Sequence, residues 1–149
     1  MSKNNWLVVA HRAGARIFCR GDAPHSLECV ARFEHPQAHL HEREFGSDRP
    51  GRATVSSRAG RHAMTNETPA SETSLRMFAE RIADYLETAR LDHRLERLSL
   101  VAEPHMLGLL RAALTTGTAA IVTASLDKDL VHVADGDLAS WLQDARFWI

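Results

Sequence analysis

The chain has 149 residues, of which 44% are hydrophobic and 25% charged, and its formal net charge is −1. That length suits one domain over residues 1–149, and folding at this size buries about 68–70% of the unfolded surface, so stability requires neither a disulfide nor a metal. The near-neutral balance excludes a protein that is basic throughout and coats nucleic acid, and the composition is that of an ordinary globular chain.

Trp6–Ala10 is a continuous apolar run, as in a strand buried on both faces. Arg12–Ala15 reads as a turn, Arg16–Arg20 as a second strand, and Gly21, Asp22 and Pro24 as a second turn. Ser26–Phe33 alternates at Leu27, Cys29 and Ala31 and continues to Phe33, the pattern of a half-buried strand. Three short strands joined by tight turns predict an antiparallel meander.

From Gly46 to Met64 there is no hydrophobic periodicity. A structureless connection of this length, about residues 46–66, is uncommon inside a compact domain and is usually functional or disordered. Between Arg49 and Asn66 there is no Asp or Glu, whereas Arg49, Arg52, Arg58 and Arg61 are present, followed by His62. A purely cationic loop on a neutral protein predicts an anionic partner, RNA or the ribosome, or an acidic protein surface met by a partner or by a second copy. The planar guanidinium suits phosphate and carboxylate. No aromatic residue is interleaved, so the expected contact is with phosphate, which carries no sequence information.

Beyond the loop the period becomes helical. Leu75, Phe78, Ala79, Ile82, Leu86 and Ala89 share one face of a helix running to about Arg94, with Thr68 as the expected N-cap and Pro69 at the first helical position. Leu98–Ala102 reads as a buried strand. Pro104 opens a second helix bearing Met106, Leu107, Leu110, Ala113 and Leu114, with Gly117 past its end. Ala120–Ala124 reads as the next strand, and Asp135 caps a last helix with Leu138, Trp141 and Leu142. The predicted fold is α/β: a mixed sheet with an N-terminal antiparallel three-strand meander followed by αβαβα, with helices packed on the sheet.

The start of the chain carries no signal-peptide pattern, and no stretch approaches the roughly 18 apolar residues of a membrane span, so the expected location is the cytoplasm without membrane insertion. Cys19 and Cys29 fall on neighbouring strands and could face each other. In a reducing compartment both are expected to stay free, as small buried hydrophobes.

Candidate chemistry is sparse. His35, His39 and His41, with Glu42, Glu44 and His62, include metal-ligand types, but H-x3-H-x-H matches no closed zinc pattern, and the region reads as the solvated exit of a strand. Asp127, Lys128 and Asp129 follow a strand directly, where open α/β sheets place ligand contacts, but they read foremost as a charged turn that caps the strand and fixes the following segment. An enzyme built on these parts would be a hydrolase using the His35–His41 region with Asp127 and Asp129. No nucleophile elbow, Walker sequence or dinucleotide fingerprint occurs. The expectation is therefore a non-enzymatic protein with no cofactor, no metal and no catalytic residue.

Five pieces of sequence, in order along nearly the whole chain, resemble the bacterial host-attachment family, described as proteins required for attachment to host cells. They are Trp6–Ala10 with Ala15–Phe18; Glu44–Arg52 with Gly60–Ala63; Phe78–Ile82; Leu107–Arg111; and Leu126–Leu130. His11 departs from the family, which more often has Asp or Asn there, as do Ala102 and Glu103 before Pro104. The resemblance implies a role in attachment and no reaction. The element order is also similar, more distantly, to the middle domain of archaeal and eukaryotic peptide-release factors. In that family a loop carries Gly-Gly-Gln into the ribosome; here the loop has Arg58, Ala59, Gly60 and Arg61, so peptide release is not implied.

Overall fold

The structure, a computed structural model, describes residues 3–23, 26–35 and 63–144, with only the backbone described over 63–71. The strands are β1 (Asn5–His11), β2 (Gly14–Arg20), β3 (Leu27–Glu34), β4 (Arg97–Ala102) and β5 (Val122–Leu126). The helices are α1 (Ala63–Leu91), α2 (Pro104–Ala113), α3 (Thr116–Ala120) and α4 (Asp135–Asp144). One sheet runs in the order β3-β2-β1-β4-β5. The β1–β2 and β2–β3 pairs are antiparallel, and β1–β4 and β4–β5 are parallel. This is the expected mixed α/β sheet with its N-terminal meander.

β1 is central, which explains its unbroken apolar run. Trp6, Val8 and Ala10 face a layer made by α1 and α2, in which Leu75, Phe78, Ile82, Leu86, Met106 and Leu110 are buried. Leu7 and Val9 face the other way, with Phe18 and Val101, onto Leu130 and onto Leu138 and Leu142 of α4. Each buried Val, Leu, Ile, Phe or Met side chain among these, removed from water, contributes about 1.5–3 kcal/mol.

Several boundaries differ from the sequence expectation. α1 begins at Ala63, so Thr68 and Pro69 lie within the helix rather than at its start, and the loop expected to reach about residue 66 ends earlier. Ala63, Met64, Glu67 and Ala70 are good helix formers and continue the helix through the missing donor of Pro69. α1 stops at Leu91, short of Arg94. His93 has φ 62°, and its N–H and that of Arg94 donate to the carbonyls of Arg90 and Ala89 at 3.0 and 2.9 Å, a left-handed cap closed without glycine. Gly117 lies in α3, whose N-cap Thr115 accepts from Thr118 N–H at 3.2 Å, and this extra turn delays β5 to Val122. Asp135 is the first residue of α4.

β3 departs most. Ile17 pairs with Ala31 but Phe18 with Cys29, so Val30 is an extra residue in a bulge. The expected single face through Leu27, Cys29, Ala31 and Phe33 is therefore split. Leu27 packs on the α4 side, Ala31 and Phe33 on the α1 side, and Cys29 is exposed rather than buried. Cys19 is buried and lies opposite Glu28, and both thiols are free. Burial pushes the Cys19 thiol above its usual range. Among the described residues no helix is long and apolar enough to cross a membrane.

Candidate functional site

Strand direction brings the chemistry-bearing residues to one edge. β3, β1, β4 and β5 run the same way and β2 alone runs opposite, so four carboxyl ends lie side by side. The register pairs Glu34 with Gly14, Gly14 with His11, Ala10 with Ala102, and Val101 with Leu126. Along the edge therefore stand Glu34 and His35, then His11 and Arg12, then Glu103, then Asp127. Four strand spacings make this row about 19 Å long. β1 leads to its neighbour on one side through a tight hairpin, and β4 to its neighbour on the other through α2 and α3.

The segment 36–62 leaves this edge at His35. That residue is 5% exposed, not part of a solvated strand exit. Its N–H donates to the Ala13 carbonyl at 3.0 Å. Nδ1 lies 2.8 Å from the Arg12 carbonyl, which can only accept, so Nδ1 carries a proton. Nε2 is 3.2 Å from the Ser74 hydroxyl, which donates to it when the imidazole is neutral. The ring stacks on Phe78 at 5.0 Å and 14°. Arg81 donates to the Glu34 carbonyl at 3.3 Å and lies over the Phe33 and Phe78 rings at 5.6 and 5.5 Å. The root of the segment is thus pinned to the β1–β2 turn and to α1 together.

These contacts bear on the metal and hydrolase expectations. Both ring nitrogens of His35 are engaged, and it stands at the opposite end of the edge from Asp127 and Asp129, so no joint site forms between them. His39, His41, Glu42, Glu44 and His62 lie outside the described residues, as do Arg49, Arg52, Arg58 and Arg61. Among the described residues no group of three His, Cys, Asp or Glu could hold a metal. Asp127, Lys128 and Asp129 are exposed at the end of β5, and Asp129 Oδ1 accepts from Val131 N–H at 3.0 Å, which fixes the turn.

Several other polar groups have partners far apart in the chain and so left no sequence signal. Glu103 caps α2 by accepting from His105 N–H at 3.1 Å, and His105 Nε2 meets Glu72 at 2.9 Å. One face of the β2–β3 hairpin holds a larger cluster. Arg16, on β2, donates to Asp135 Oδ1 and to the Val133 carbonyl, each at 2.8 Å, and to the Leu130 carbonyl at 2.9 Å. Arg32, on β3, pairs with Asp135 Oδ2. On the far side, Glu87 accepts from Arg90, Thr118 and Thr115, which together hold its carboxyl down at about 2.

Two solved structures resemble this one loosely. An archaeal protein is 10% identical with a TM-score of 0.49, over 96% of this chain and 34% of its own. The archaeal translation termination factor aRF1 is 12% identical with a TM-score of 0.47, over 97% and 39%. The chain spans little more than a third of the length of each, and likeness at this level carries no argument about function. No curated protein matches the sequence. A family described as "Protein required for attachment to host cells" matches residues 6–142. That match covers nearly every element of the sheet and its helices, and the chain belongs to the family of proteins required for attachment to host cells.

Proposed function

We propose that this chain serves attachment as a non-enzymatic cytoplasmic binding protein whose arginine-bearing segment engages an anionic polymer, RNA or ribosomal RNA. The observation that carries this reading is the clamp at His35, because it fixes the root of the cationic segment at the carboxyl edge of the sheet. Arg49, Arg52, Arg58 and Arg61, with His62, supply the charge. Phosphates are their natural target, through paired charge-assisted hydrogen bonds. Attachment to a host is then a downstream consequence of binding inside the cell.

A second reading has its own support. Exposed Asp127 and Asp129 stand at the other end of the same edge, an acidic surface that the cationic segment of another copy, or of a partner protein, would complement.

The test is co-sedimentation with ribosomes from the native lysate. Replacing Arg52, Arg58 and Arg61 together by Glu is expected to abolish it while leaving the thermal midpoint nearly unchanged, since charged residues in a stretch without hydrophobic periodicity supply no core packing. A triple variant that still sediments like wild type removes the segment from the binding site. If neither protein sediments with ribosomes or binds RNA, the protein-partner reading takes over, with Asp127 and Asp129 as the next surface to change.

A further inference from the structure

Arg16 and Arg32 lie directly opposite each other in the β2–β3 register. Like charges so placed destabilise a sheet unless an anion lies between them. Here the anion is internal: the two carboxylate oxygens of Asp135 each take one arginine. The Arg16 guanidinium is also held by the Leu130 and Val133 carbonyls, and its side chain is only 12% exposed, so its donors are aimed before any ligand arrives. Arg32 and Asp135 are 57% and 37% exposed, so the carboxylate side of the cluster is open to solvent. A carboxylate bridging two guanidinium groups makes the same two-oxygen contact that a phosphate makes, and a phosphate has additional acceptor oxygens.

We propose that the Arg16–Arg32 pair is a phosphate-binding site that Asp135 fills in the free protein and yields when a phosphate group of a bound polyanion arrives. The source of the phosphate rests on the anionic-polymer reading above. Each arginine is two residues, about 7 Å, from the carboxyl edge that the segment 36–62 leaves after His35, and exposed Arg12 lies on that edge. A polymer held by the segment thus presents its next phosphates to the pair at high effective concentration. Asp135, tethered in place, keeps dilute free phosphate out. The exchange makes and breaks no covalent bond, and it releases the start of α4 from the hairpin.

The test titrates inorganic phosphate into the full chain at fixed ionic strength, with chloride as the balancing anion, and follows the side-chain Nε–H signals of Arg16 and Arg32 by NMR. Asp135→Asn is expected to bind phosphate about tenfold more tightly than wild type, because the tethered competitor is gone. Combining it with Arg32→Gln is expected to lose that gain. Equal affinity in the single and double variants, or signals of Arg16 and Arg32 that phosphate leaves unmoved, overturns the proposal. Should Asp135→Asn fail to fold, Arg32→Gln alone decides it: weaker phosphate binding than wild type supports the site, and unchanged binding overturns it. A short single-stranded RNA forms the second arm. Weaker RNA binding by Arg32→Gln supports the polymer as the source, and unchanged RNA binding overturns that source. Phosphate binding at the pair in a chain that binds no RNA at any salt keeps the site and removes the anionic-polymer reading.

Discussion

The two faces of the sheet are held by different physics. On one, α1 and α2 bury a broad apolar layer around Phe78, Ile82, Leu86, Met106 and Leu110. On the other, the short α4 contributes Leu138 and Leu142, and the approach to it is held by Arg16 reaching Asp135 and two backbone carbonyls. The first arrangement is indifferent to salt and tolerates little change of volume. The second adds to its smaller apolar cluster a polar, partly exposed contact that responds to ions.

Phe78→Ala breaks the rigid face and is expected to cost about 3–5 kcal/mol, read by denaturant unfolding. Phe78 is 1% exposed and also carries the stacked ring of His35. Leu107, on the expected apolar face of α2, is only half-buried against that core, so Leu107→Ala should cost less, about 1–2 kcal/mol. Equal losses at both positions would contradict the packing described.

Arg16→Met tests the other face. It leaves two carbonyls and Asp135 Oδ1 without their donor, while Arg32 still holds Asp135 Oδ2, for an expected loss of about 1–3 kcal/mol after discounting for the exposure of Asp135. The diagnostic is salt. Added salt should narrow the stability gap between wild type and Arg16→Met and leave the gap for Phe78→Ala unchanged. A salt-independent Arg16 effect would mean that the clasp is held by packing alone.

The smallest effect concerns Glu87, where α1 meets α3. Its folded-state value of about 2 lies below the ordinary 4.5 because of the hydrogen bonds from Arg90 first, then Thr118 and Thr115. A depressed carboxylate contributes stability that is fully present above its unfolded value and is lost as pH falls through the folded one. Wild type should therefore lose stability between about pH 4.5 and 2, and Glu87→Gln should flatten the pH profile in that window. A profile of unchanged slope would place Glu87 outside the network.

What could be read from the sequence follows the same division. Local apolar patterning revealed β1, the buried stripe of α1 and the core of α2, because burial on one or both faces leaves a period in the chain. The bulge at Val30 left no such mark, and it moved Cys29 to the surface. Pro69 looked like a helix start, yet the helix formers around it carry α1 back to Ala63. The site was legible only in pieces. The arginines between Arg49 and Arg61, and Asp127 with Asp129, were visible as composition. That His35 and Asp127 stand on one edge depends on strand direction, which no local pattern encodes. His35 looked solvated because its partners, Arg12 and Ser74, lie on other elements, and Asp135 looked like a simple cap because Arg16 is more than a hundred residues away.

The most direct test of the account is the salt dependence of RNA binding. Fluorescence anisotropy with a short single-stranded RNA, over a series of salt concentrations, gives log K against log salt for wild type and for Arg52, Arg58 and Arg61 together changed to Gln. Each phosphate neutralised on a single strand contributes about −0.7 to the slope, so the wild-type line should be steeper than that of the triple variant by about 2. Parallel lines, or no binding by wild type at the lowest salt, would contradict the account.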